Sequence, residues 1–169
     1  MVTGGSPTLR NVLTDGLGKV SWSILVCSGI AVGTTASKAK EKYMGVMGLI
    51  SAPVAFTTAR AIQKVVAQII GGPDPAAALP SVLAVSSVKG LEYLALGWLT
   101  GLVGKRAWGG AGAHAGVGAA IGLVFGATLV ALAVAFGQPT PPIAKLTLLG
   151  VNECLFPIGC SLVLYAATA

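Results

Sequence analysis

The stretch SVKGLEYLALGWLTG, residues 87–101, decides how this chain is read. It has the length and apolarity of a helix that sits in a lipid bilayer. It also carries Lys89 and Glu92, two groups that a bilayer rejects. A charge at bilayer depth costs at least about 2.5–3.5 kcal/mol on insertion scales. On a helical wheel Ser86, Gly90, Gly97, Gly101 and Gly104 fall on one stripe, and Lys89, Glu92, Tyr93 and Thr100 fall on the stripe beside it. The polar stripe therefore borders the side best suited to another helix. That directs Lys89 and Glu92 toward protein or a water-filled cavity and away from lipid. Three residues apart, their side chains can meet and lower each other's cost.

The rest of the chain supports a bilayer setting. Of its 169 residues 54% are hydrophobic and only 9% charged, with a mean hydropathy of +0.85. A soluble domain carries about 25% charged residues, so there is too little polar surface here to cover a water-facing globule. The apolar residues come in long blocks, as transmembrane helices require. The formal charge is +6. The Lys and Arg residues lie mainly between apolar blocks, without the aromatic-basic interleaving of a nucleic-acid surface. They read as topology signals and contacts with anionic headgroups. The expected partner is the lipid bilayer, and nucleic acid is not expected.

The predicted fold is an all-α membrane bundle of about five spans. Residues 1–19 form a short amphipathic segment, with Leu9, Val12, Leu13 and Leu17 at helical spacing, expected to lie in the interface. Residues 20–169 form the polytopic domain. Span one runs over residues 20–37 and ends at the charge cluster Lys38–Lys42. Span two starts near Tyr43 and contains Pro53. Its second part, residues 58–70, puts Arg60, Gln63, Lys64 and Gln68 on one side. It is either one long kinked helix or a span followed by an interfacial helix. Gly71–Pro75 is a turn by composition. Spans three, four and five cover residues 80–103, 114–136 and 143–169. Five spans put the Lys38–Lys42 and Lys105-Arg106 connections on one side, expected to be cytoplasmic. The N-terminus makes a poor signal peptide, because its apolar stretch begins only near Val20.

Glycine is abundant, at 24 residues. Gly118, Gly122 and Gly126 repeat every four residues, as do Gly97 with Gly101 and Gly29 with Gly33. Such stripes let two helices approach closely. They serve packing within one chain or between identical chains, so a homo-oligomer or a larger membrane complex is expected.

Span five holds Asn152, Glu153 and Pro157. Pro157 has no N–H for the carbonyl of Glu153. A freed carbonyl beside a carboxyl and an amide needs a partner in lipid, and interrupted helices of this kind line ion sites in transporters. Lys89 can pair with Glu92, or with Glu153 across a contact between spans three and five. It can also snorkel to a membrane surface.

The lone histidine, His114, opens span four among small residues that would admit a flat macrocycle, a weak pointer to haem or chlorophyll. Otherwise no cofactor and no metal is expected. Cys27, Cys154 and Cys160 match no metal or redox spacing, and Trp22, Trp98 and Trp108 include candidate interface anchors. No catalytic constellation is present, so the chain is not read as an enzyme. The leading expectation is a small channel or transporter for an ion or small solute. In it Lys89, Glu92, Glu153, Asn152 and Pro157 line the polar pathway. The alternative is a non-catalytic accessory subunit of a larger membrane complex, with or without pigment.

Overall fold

The computed structural model describes residues 9–36, 39–70, 82–136 and 142–168. Over these the chain is all-helical: α1 (Leu9–Gly33), α2 (Lys40–Ile70), α3 (Val82–Val103), α4 (Ala111–Phe136) and α5 (Ile143–Ala166). The Gly71–Pro75 turn and residues 137–141 lie outside the described residues.

Among the described residues three helices are long and apolar enough to cross a membrane: α2 over Lys40–Ile69, α4 over Ala111–Phe136 and α5 over Ile143–Ala166. This is fewer than the five spans expected from sequence. The helix that opened the reading, α3, is not one of the three. In α1 the residues whose side chains are described, Gly18–Gly33, form a shorter apolar helix.

Two other expectations about element boundaries meet the structure. The backbone of α1 continues from Leu9 to Gly33 without a break near Val20. The choice left open for the second block is settled in favour of one helix. The 31 residues of α2 run through Pro53 without interruption. At a rise of 1.5 Å per residue that helix is about 46 Å long, longer than the hydrocarbon core of a bilayer at about 30 Å.

Sequential helices pack antiparallel, and close glycine contacts set their spacing. On α3, a Cβ at Gly97 would lie 2.7 Å from the carbonyl carbon of Met44, and one at Gly101 would lie 2.6 Å from the Cα of Glu41. On α4, a Cβ at Gly118 would meet the Cα of Ile158 at 2.6 Å, and one at Gly122 would meet the carbonyl oxygen of Glu153 at 2.7 Å. A Cβ at Gly126 would touch the Cβ of Glu153 at 3.0 Å. At Gly97, Gly101, Gly118 and Gly122 no side chain larger than hydrogen fits without moving a backbone. The stripes anticipated from sequence thus pack α3 on α2 and α4 on α5, within one chain. The helices form two groups, α1–α2–α3 and α4–α5, which meet along α3–α4 and more lightly where α5 touches α1 and α3.

The exterior differs from that of a soluble protein, and polar groups lie within an otherwise apolar core. Every helix exposes large apolar side chains, among them Ile24, Ile50, Leu83, Leu123 and Leu155 at 55–78% exposure. The interior also holds Lys89, Glu92, Thr100, His114, Glu153 and Ser161. In water an apolar exterior of this extent has no stable place. In lipid it is the expected outside.

Candidate functional site

The two charged helices meet at Lys89. Its ammonium donates to Oε2 of Glu92 on the same helix at 2.9 Å. It also donates to Oε2 of Glu153 on α5. The alternative pairings read from sequence are therefore both present at once. Lys89 is 6% exposed, Glu92 0% and Glu153 8%, so snorkelling to a surface is excluded.

Local geometry explains the arrangement. Lys89 and Glu92 stand one helical turn apart on one face of α3. Glu153 reaches them because Gly122 and Gly126 bring α4 against its backbone and seat α5 close to the bundle. The ammonium also sits 5.5 Å from the ring centroid of Trp22 and 5.8 Å from that of Tyr93. Trp22 and Tyr93 are themselves stacked edge to face at 5.7 Å. The cation thus has carboxylate oxygens on two sides and aromatic rings beside it. The Oε1 atoms of the two carboxylates do not share in this. Oε1 of Glu92 is buried and has no hydrogen-bond partner among the described residues.

A cleft of about 200 Å³ leads to this cluster between α1, α2, α3 and α5. Of its lining residues Lys89, Glu153 and Trp22 are buried and form its floor, and the half-buried Phe56, Arg60 and Gln63 form its outer part. Asn152 lines it as well, beside Glu153. Arg60 lies 5.6 Å from the ring centroid of Phe56. Glu153 stands about 15 Å along α5 from Ile143, close to the middle of the bundle.

Pro157 takes a different place. It is buried and does not line the cleft. Its carbonyl faces Gly118, and the Glu153 carbonyl that it leaves without an N–H faces Gly122. The Hα of Gly122 that stands where a Cβ would be points at that oxygen, a weak donor in the position where one is needed. The structure thus brings Lys89, Glu92, Glu153 and Asn152 together and directs the carbonyl freed by Pro157 to the α4–α5 seam.

His114 is 2% exposed. Its ring lies 5.2 Å from that of Tyr165, and Nδ1 is 3.1 Å from the carbonyl of Gly110. The small residues around it do not leave an open imidazole face. Trp22 belongs to the core, whereas Trp98 and Trp108 are 46% and 67% exposed. Cys27 packs against the core cluster that contains Cys160. At the opposite end of the bundle from the cleft mouth, Lys105 pairs with Glu41. The two basic connections thus share a side, as five alternating helices require.

Sequence reasoning missed Trp22, Phe56 and the role of Arg60 and Gln63. The last two carried a signal. They lie on the polar side of α2, which was read as one option for an interfacial surface and in the structure lines the cleft. Comparison with known proteins gives no match: no family model, no curated protein and no solved structure is significantly similar to the chain.

Proposed function

We propose that the protein is a multi-pass integral membrane protein whose five helices all lie in the bilayer, and that it passes an ion or small solute along the cleft. The observation that carries this reading is the buried Glu92–Lys89–Glu153 cluster at the floor of a cleft with a polar mouth, inside an otherwise apolar bundle. Groups this costly to bury are retained at bilayer depth where ions or solutes move. The cluster spans the two helix groups, and the α3–α5 contact it joins is slight. A small shift between the groups opens or closes the floor of the cleft, as in transporters that gate one bundle against another. Lys89 and Glu153 act as the gate, and Asn152, Gln63 and Arg60 line the approach.

The test is reconstitution of the purified chain in vesicles under an imposed membrane potential, with a panel of monovalent ions outside. Selective flux above that of empty vesicles is expected, and Glu153→Gln is expected to remove it or change its selectivity. Flux equal to that of empty vesicles for every ion overturns the reading.

One observation favours a second reading, the accessory subunit. A Cβ at Gly112, Gly116 or Gly159 would meet nothing within 4 Å. These positions leave flat outer strips on α4 and α5 that fit a helix of another chain. Native mass spectrometry of the protein extracted from its source membrane separates the two: a hetero-complex favours the subunit, a homo-oligomer or monomer the transporter.

A further inference from the structure

The buried cluster contains two carboxylates and one ammonium. Their formal charges leave one negative charge in excess, enclosed by residues 0–8% exposed. An uncompensated charge in such a setting costs several kcal/mol. The surroundings do not remove the excess. From α1 the facing group is the neutral Trp22, and from α3 the neutral Tyr93. Cys160 on α5 is the other titratable group near Glu92. On the α4 side Gly122 and Gly126 face the backbone and Cβ of Glu153. Arg60 and Lys19 line the same cleft, but toward its mouth. Gly90 packs at Pro53, so Arg60 stands roughly 10 Å from the level of Lys89 toward the end of the bundle. Lys19 lies beyond it, since Gly18 packs on Gln63. Both are half-buried, whereas the two carboxylates are buried.

The oxygens record the same imbalance. Each carboxylate places one oxygen on the Lys89 ammonium, while Oε1 of Glu92 is buried without a partner among the described residues. Two carboxyl groups held on one ammonium behave as a pair, and a proton taken up belongs to the pair.

We propose that the Glu92–Lys89–Glu153 triad holds one exchangeable proton, shared by the two carboxyl groups, and that the proton is the ion the pathway carries or couples to. The first half stands on the cluster alone, and the second rests on the transport reading above. The proton enters from the cleft at Glu153, which lies on its floor. It passes to Glu92, which does not line the cleft, as α5 shifts relative to α3. With the proton bound, the triad is neutral and the α3–α5 contact closes. When the proton leaves, the excess charge returns and favours opening of the contact to water.

The test uses the full-length chain in vesicles and two readouts. Infrared difference spectra between acid and alkaline buffer detect the C=O stretch of a protonated carboxyl. A pH-sensitive dye inside the vesicles follows proton entry under an imposed potential. The chain has only five carboxyl side chains, Asp15, Glu41, Asp74, Glu92 and Glu153, so the band is assignable by substitution. The expected result is a carboxyl band in the wild type that Glu153→Gln removes or shifts and Glu153→Asp restores, with proton entry lost in Glu153→Gln. Absence of any carboxyl band in the folded wild type at every pH overturns the proton site, even where flux of another ion keeps the transport reading. A band without proton entry keeps the site and overturns its link to transport. The wild-type spectrum needs no variant to fold.

Discussion

Pro53 and Pro157 each stand inside a continuous helix, α2 and α5, and the two sites are surrounded differently. Each proline removes the N–H that would bond the carbonyl four residues earlier, that of Leu49 in α2 and of Glu153 in α5. In each case a glycine of the neighbouring helix faces the freed oxygen. A Cβ at Gly90 would stand 3.3 Å from the carbonyl of Leu49, and one at Gly122 would stand 2.7 Å from that of Glu153. The pairing of proline with a facing glycine is therefore a packing device of this fold, used twice. At Pro53 it sits among apolar side chains. At Pro157 the same turn carries a buried glutamate joined to Lys89. Packing thus accounts for the prolines and glycines, and it leaves the charges unexplained. That residue of unexplained cost is what points to function.

The largest effect is expected at the charges. Lys89→Met strands two carboxylates and should destabilise the fold by about 3–5 kcal/mol, read as a fall in the thermal or denaturant midpoint in detergent. Replacing Lys89, Glu92 and Glu153 together by Met, Leu and Leu should have no cost or stabilise by about 1–4 kcal/mol, because well-packed apolar groups replace a buried ionic cluster. A triple variant as unstable as Lys89→Met would show that the cluster serves the fold. A stable triple variant without flux would tie it to transport.

The two proline sites should then separate in size. At Gly122 the nearest atoms are backbone, so Gly122→Ala should cost about 1–3 kcal/mol through strain. At Gly90 the nearest atoms include the flexible end of Leu49, which can yield, so Gly90→Ala should cost well under about 1 kcal/mol. Equal losses in the two variants would mean that the α2–α3 and α4–α5 seams have the same tolerance. The smallest effect is expected at Gly116, where a Cβ meets open space. Gly116→Ala should change the stability of the isolated chain by less than about 0.5 kcal/mol. Loss of an assembly on native mass spectrometry with that monomer stability unchanged would identify the outer face of α4 as a contact with another chain.

Much of α3 was legible in advance. The wheel placed Lys89, Glu92, Tyr93 and Thr100 on one stripe, and all four are 0–6% exposed. Periodicity suffices there because the face of a helix is set by residues three and four apart. The number of spans was less legible. Hydropathy cannot separate a helix lined with internal charges from one too polar for lipid, and α3 carries two such charges. The role of Pro157 was readable in kind, as a freed carbonyl, but its direction was not. Its orientation toward Gly118 and Gly122 depends on how α4 and α5 are rotated against each other. Trp22 gave no signal, since a tryptophan in an apolar block looks the same whether it faces lipid or an ammonium.

The amino-acid sequence by itself determined the helices, the glycine stripes along which they approach and the polar face of α3, because each is a matter of local spacing along one chain segment. Tertiary structure alone decided that Lys89 holds two carboxylates, that Trp22 covers it and that Arg60 and Gln63 open a cleft above it. These depend on the rotation and register of α1, α2 and α5 against α3. Those quantities are set by close contact between residues far apart in the chain, and no periodicity within a single helix records them.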